Sequence, residues 1–361
     1  MSGLLYTLLS FAASTSLHCA VRREISPCTC RQEDFSAPIS NPPLGSPLHG
    51  ERIEVECEKM ESFNQVAEAL RGRFTPEQSI TLRVSHSYLK DISRHGFKDL
   101  KMSITRLELN YDKLGVLNGE IFAGLGRTQY LSLADNEVPS IPRPILSHLS
   151  LLRTLDLSRN RISRIEADDF KLHEDDFIEA EMLEDLQLGH NALTSLGGVT
   201  SVTPEETTTS NSALYPLKSL KCLNLTHNNL REFSFTSIRG LRELKMLDLS
   251  NNKIQRLTRG RAPTENLVEV DGDEMAGAGI QDMHLQHNEL RSLEGSLFLG
   301  MRQLQRLNLS HNALGPTVGL RDLKGLDGLR KLDLSYNELT TLEDTSEVTI
   351  HPCLRTLIFF S

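Results

Sequence analysis

One phrase constrains this chain more than any other: L-x-x-L-x-L-x-x-N-x-L, as in "LQRLNLSHNAL" from Leu304 to Leu314. Anchored on its asparagine, it recurs at Asn136, Asn160, Asn191, Asn228, Asn252, Asn288, Asn312 and Asn337. Two earlier copies carry Ser87 and Asp112 in the asparagine slot. Successive anchors lie 25, 24, 24, 31, 37, 24, 36, 24 and 25 residues apart, so the base period is about 24 with three longer repeats. A fixed period of this size means a stacked array, because one repeat cannot bury its own apolar face.

Each position has a physical reading. Leu307 and Leu309 alternate with period two, which is a strand with its leucines facing inward, so Asn308 and Ser310 are expected to face out. After Asn312 the chain must turn, and the asparagine amide can satisfy backbone groups that the turn leaves unpaired. Apolar residues further on, such as Phe122, Phe170 and Leu241, close the far side of the coil. Stacked copies give an α/β-type solenoid with a parallel sheet, about 45 Å long for ten strands at the usual 4.8 Å spacing. With no Trp and 5% aromatic residues, its core is aliphatic.

These residues resemble the extracellular leucine-rich repeat family, whose secreted and receptor members include chaoptin, connectin, Slit and Toll-like ectodomains. The resemblance implies a horseshoe with the parallel sheet on its concave side, about ten repeats and a truncated eleventh. It also implies that the segment from Cys19 to Cys57, "CAVRREISPCTC…IEVEC", is a cysteine-rich amino-terminal cap. The Pro-rich stretch between Cys30 and Cys57 departs from that pattern and reads as a loop. The implied division is a signal peptide over 1–16, the cap over 17–78 and the array over 79–361.

The first twenty residues carry no charged side chain, and Leu4 to Ala13 is an apolar run too short to span a membrane. This reads as a secretory signal. No other stretch approaches the apolar length of a membrane span, so the expected location is extracellular. Cys19, Cys28, Cys30 and Cys57 suggest a local disulfide cluster, with Cys28 and Cys30 each pairing to Cys19 or Cys57 in an order left open. The spacing lacks the paired C-x2-4-C of a zinc site, so no metal or other cofactor is expected. Cys222 and Cys353 stand about five repeats apart, roughly 24 Å at the strand spacing. That is too far for a mutual disulfide.

The net charge is -9, and no Lys/Arg cluster stands out, which disfavours nucleic acid as a partner. No nucleophile, metal or phosphate-binding motif emerges, so the chain is not expected to be an enzyme. Outward strand positions nominate a concave binding surface: Arg83, Arg106, Glu108, Asp156, Asp248, His284, Arg306, Lys331 and Asp333. The sequons at Asn224 and Asn308 occupy outward positions of the same sheet, where glycans would direct a partner toward the amino-terminal repeats or the loops. His86, His190, His227, His287 and His311 all precede an anchor residue and read as solvated surface. Loop insertions near 171–182, 197–216 and 259–279 break the period.

The expected function is an extracellular protein-protein binding module, the ectodomain of a cell-adhesion or receptor protein, whose partner is a secreted or cell-surface protein. The alternative is a soluble matrix component or a non-catalytic scaffold subunit. Leu354, Leu357 and Phe359 begin an eleventh repeat whose asparagine would be the next residue after Ser361. The chain is therefore expected to be a fragment, with any membrane anchor lying downstream.

Overall fold

A computed structural model of the chain describes residues 19, 25–32, 52–143, 145–166, 169–170, 182–197, 212–259, 276–293, 297–319, 322–342 and 354–358. The signal segment and most of each insertion lie outside the described residues, as does Cys353.

The strands follow the repeats. In chain order they are β1 (Thr29–Gln32), β2 (Arg52–Glu58), β3 (Ser79–Ser85), β4 (Ile104–Asn110), β5 (Tyr130–Ser132), β6 (Thr154–Asp156), β7 (Asp185–Gln187) and β8 (Cys222–Asn224). Next come β9 (Glu232–Ser234), β10 (Met246–Asp248), β11 (Arg256–Thr258), β12 (Asp282–His284), β13 (Arg306–Asn308), β14 (Thr317–Val318), β15 (Lys331–Asp333), β16 (Thr341–Leu342) and β17 (Thr356–Ile358). Thirteen of them form one sheet, β1 to β8 and then β10, β12, β13, β15 and β17. Within it only β1 and β2 run antiparallel; the remainder stack in parallel. The pairs β9–β11 and β14–β16 form small sheets away from the main one. The result is the expected solenoid, with the long parallel sheet on its concave side.

Register explains why most strands are only three residues long. The middle residue of each is apolar and in line with its neighbours: Leu107, Leu131, Leu155, Leu186, Leu223 and Leu247 form one column of the core. All six are at most 1% exposed. The flanking residues face out, so each strand ends where the inward alternation ends. A second buried layer lies across from the sheet, where Phe122, Phe170, Phe235 and Phe298 fill the return segments.

Two features make the turn after each strand. The residue before the anchor is left-handed at every turn from His86 (φ 53°) to Tyr336 (φ 54°), including Asp135, Arg159 and Asn251. The anchor asparagine then turns inward. Asn252, for example, accepts from the Leu230 N–H (3.2 Å) and donates to the carbonyls of Leu225 (2.9 Å), Leu249 (3.1 Å) and Ser250 (3.3 Å). The same pattern recurs at Asn160, Asn191, Asn228, Asn288, Asn312 and Asn337, so one amide ties two successive turns. One expectation fails here. Ser310 does not face out but is 6% exposed, because the chain is already turning and its N–H is held by the Asn308 side chain (3.0 Å).

The amino-terminal end is closed by the cap. Its disulfides join Cys19 to Cys30 and Cys28 to Cys57, which settles the order that the spacing left open. Helix α1 (Phe63–Leu70) starts at Ser62, whose hydroxyl accepts from the Gln65 N–H (3.2 Å). Both carboxylate oxygens of Asp91, in the first repeat, accept from the N–H groups of Phe63 (2.7 Å) and Asn64 (2.9 Å). A carboxylate at a helix amino terminus satisfies orphan donors and complements the dipole, so it fastens the cap to the array.

Candidate interaction surface

Two columns of side chains run across the concave sheet, one on each side of the buried leucine column. The first passes from Arg106 through Tyr130, Thr154, Asp185, Cys222, Met246, Asp282 and Arg306 to Lys331. The second passes from Arg83 through Glu108, Ser132, Asp156, Gln187, Asn224, Asp248, His284 and Asn308 to Asp333. All nine nominated contact residues lie in these columns, and they divide into three groups.

At the amino-terminal end Arg83, Arg106 and Glu108 form one network. Glu108 accepts from Arg83 (3.1 Å) and Arg106 (2.5 Å), while Arg83 also pairs with Glu54. The Arg106 guanidinium sits 3.4 Å from the centre of the Tyr130 ring. Burial pushes the Tyr130 hydroxyl up, with Arg106 opposing it. Sequence reasoning missed Glu54, which belongs to the cap strand. It also missed Tyr130, although its repeat position equals that of Arg106.

The middle of the sheet is less charged. Asp156 uses its carboxylate on its own turn, accepting from the Ser158 N–H (2.9 Å). Asp185 accepts from Gln187 (2.6 Å), and burial, aided by Asp156, pushes its carboxyl up against that hydrogen bond. Cys222 is half-buried beside Met246, which is 39% exposed. Burial and then Asp185 push the Cys222 thiol up, which favours the protonated form. Asn224 donates to Gln187 (2.7 Å) and accepts from the Thr226 N–H (2.9 Å). Both sequon asparagines are on the concave face.

At the carboxyl-terminal end Arg306 is held by Asp282, with the shorter of its contacts joined by one of 2.5 Å. Asp282 was not nominated, though it shares a column with Arg306. Asp248 and Asp333 each accept from the serine two residues on, and His284 lies in register between Asp248 and Asn308. Among the described residues Lys331 has no ion pair, and exposed Arg330 and Arg355 stand on its own strand edge and the next, with Arg355 donating to the Arg330 carbonyl (2.8 Å). At this end of the sheet the acids Asp248 and Asp333 and the cationic edge of Arg330, Lys331 and Arg355 lie in separate stripes.

The exposed histidines form more than a scatter of solvated groups. His190 stacks on His227 (4.0 Å), and His287, His311 and Tyr336 stack in series (4.2 Å each). Burial, and secondarily the stacked neighbour, lowers the imidazole pKa at His190 and His287. Among the described residues no group of three or more His, Cys, Asp or Glu is placed to hold a metal.

A repeated coil with an inward asparagine at each turn is one half of the identification; comparison supplies the other. The family model described as "Leucine rich repeat" matches residues 103–162, 207–254 and 278–339. The chain carries leucine-rich repeats. The bovine (Bos taurus) protein fibromodulin is 28% identical over 228 residues, covering 61% of this chain and 55% of that protein. Podocan-like protein 1 of Mus musculus is 27% identical over 303 residues, covering 72% and 49%. Toll-like receptor 3 of Bos taurus is 28% identical over 271 residues, covering 73% and 25%. This leucine-rich repeat chain thus spans about half the length, or less, of these relatives. They are extracellular leucine-rich repeat proteins, as the cap disulfides would suggest for this one. Among the described residues no helix is long and apolar enough to cross a membrane.

Proposed function

We propose that this leucine-rich repeat chain is a secreted, non-catalytic binding module that recognises another extracellular or cell-surface protein on its concave sheet. One observation carries the reading: eleven parallel strands from β3 onward line up two columns of side chains on one face, partly or fully exposed at every described position of the columns named above except the buried Ser132. Most polar groups on this surface serve each other or their own turns, and among the described residues none is set against a partner in the way a nucleophile needs a base. A broad polar surface with a Tyr/Arg cluster at one end and a cationic edge at the other suits protein recognition.

Within that class we favour an ectodomain acting in adhesion or as a receptor, supported by the likeness to Toll-like receptor 3 over 73% of this chain. The likeness to fibromodulin and podocan-like protein 1 favours a soluble matrix component equally. The test is to express the chain through the secretory route and present it to an array of extracellular proteins, with matrix proteins and ectodomains in separate sets. Saturable binding to members of either set supports the reading and chooses between its two forms. Efficient secretion with no saturable binding to any member would count against it.

A further inference from the structure

The asparagine ladder contains one carboxylic acid. Asp112 occupies the anchor slot after β4, is 0% exposed, and has an oxygen, Oδ2, with no hydrogen-bond partner. Its neighbours show what that oxygen replaces. At Asn136 the amide oxygen accepts from the N–H groups of Asp112 (2.9 Å) and Leu114 (3.1 Å). The Asn136 amide nitrogen donates to the carbonyls of Leu109 (2.6 Å), Leu133 (3.0 Å) and Ala134 (3.0 Å). Asp112 reproduces the first half of this pattern, since its Oδ1 accepts from the Ser87 N–H (2.9 Å). Oδ2 therefore stands in the amide-nitrogen position, whose partners by the same register are the carbonyls of Val84, Leu109 and Asn110. Carbonyls cannot donate, and an ionised carboxylate has only acceptors.

We infer that Asp112 is held in the folded protein as a neutral acid whose Oδ2 proton does the work of an asparagine N–H, making this turn a proton-dependent rung beneath the amino-terminal end of the concave sheet. The surroundings agree. The titratable side chains on the adjoining turns include Lys59, His86, Tyr88, Lys90, Tyr111, Lys113 and Asp135, and these stand at the rim rather than in the ladder. No charge among them offsets the burial, which pushes the Asp112 carboxyl up to about 7 against the Ser87 hydrogen bond. The adjoining rung is adapted to this one. Ser87 donates its hydroxyl to the Ser85 carbonyl (2.9 Å) and accepts from the Met60 N–H (2.9 Å), so it asks nothing of Oδ2.

The sign follows from linkage. Between the ordinary carboxyl value of 3.8 and about 7, the folded chain holds a proton that the unfolded chain has released. Stability from this group therefore falls as pH rises across that interval and levels off above it. In Asp112→Asn the rung no longer titrates. Its stability advantage over the wild type should grow from about pH 4 to about pH 7, reaching on the order of a thousandfold in the folding equilibrium, and stay constant beyond.

The experiment uses the whole secreted chain. Infrared spectra of the wild type at about pH 6 should show a protonated-carboxyl band that fades as pH passes about 7 and is missing in Asp112→Asn. Unfolding midpoints of both proteins across the same range give the stability gap. Asp112→Ser, which copies the neighbouring rung, serves if Asp112→Asn fails to fold. A band that persists unchanged in the variant, or a stability gap that does not vary with pH, overturns the inference.

Discussion

Replacing Asn252 by alanine removes one rung from the middle of the array, and the structure allows its cost to be worked out bond by bond. Of the four groups that lose a partner, three keep another. The Leu225 carbonyl retains Asn228 Nδ2, the Leu249 carbonyl retains Asn288 Nδ2, and the Ser250 carbonyl retains the His227 N–H. Only the Leu230 N–H is left without its acceptor. A buried orphan N–H costs about 1–3 kcal/mol, and each of the three remaining bonds contributes about 0.5–1 kcal/mol net, so the expected loss is about 4 kcal/mol. Exposed Lys253, one residue on, is the control, and its alanine variant should stay within about 0.5 kcal/mol. Because a solenoid couples mainly nearest neighbours, hydrogen exchange should quicken in the turns flanking residue 252 before it does so in the cap. Urea unfolding with peptide-resolved exchange measures both. A loss below about 1 kcal/mol, or exchange that rises evenly along the chain, would refute the idea that the asparagines join successive coils.

Two further outcomes follow from the cap and the histidine stacks. Opening the 29-residue loop of Cys28–Cys57 with Cys57→Ser should cost about 3.6 kcal/mol by loop entropy, against about 2.8 kcal/mol for Cys30→Ser, which opens 11 residues; urea midpoints under non-reducing conditions decide, and the reverse order would contradict the argument. At His190 and His287 the folded chain binds protons less readily than the unfolded chain, whose ordinary value is 6.5, so stability from these groups is lost as pH falls below that value. The double variant His190→Asn, His287→Asn keeps a residue suited to left-handed backbone and should lose less stability than the wild type between about pH 7 and about pH 5; equal losses would remove the stacks from the account.

The coil was legible because its period is built from residue types with one job each. Leucine at alternate positions can only be a half-buried strand, and an asparagine three residues after the second can satisfy a turn. The left-handed residue before each anchor was less visible, since His, Tyr, Arg and Asp all fill it, and only the asparagine or aspartate examples hint at the backbone. The surface was legible as a set of positions and not as a set of contacts. Arg83, Arg106 and Glu108 were nominated singly. Their joining depends on Glu54, which sits in the cap and outside any repeat count. Arg306 was also nominated singly, and its partner Asp282 lies in its own column. Strand register would have shown this, because equal repeat positions become neighbours. The insertions carry no period at all, so the sequence places them only as breaks in the array, and most of each lies outside the described residues.

The central claim is that the concave sheet is the binding face, and the repeat offers a direct test. In "DLS" at Asp156, Asp248 and Asp333 the single changes Asp156→Asn, Asp248→Asn and Asp333→Asn each create a glycosylation sequon on that face. Glu232→Asn creates one on β9, outside the main sheet. With occupancy confirmed by mass spectrometry, affinity for a partner found in the array is measured for each variant. The account predicts that at least one concave glycan abolishes binding while the β9 glycan leaves it intact. Undiminished binding by all three concave variants, or loss only in Glu232→Asn, would contradict it.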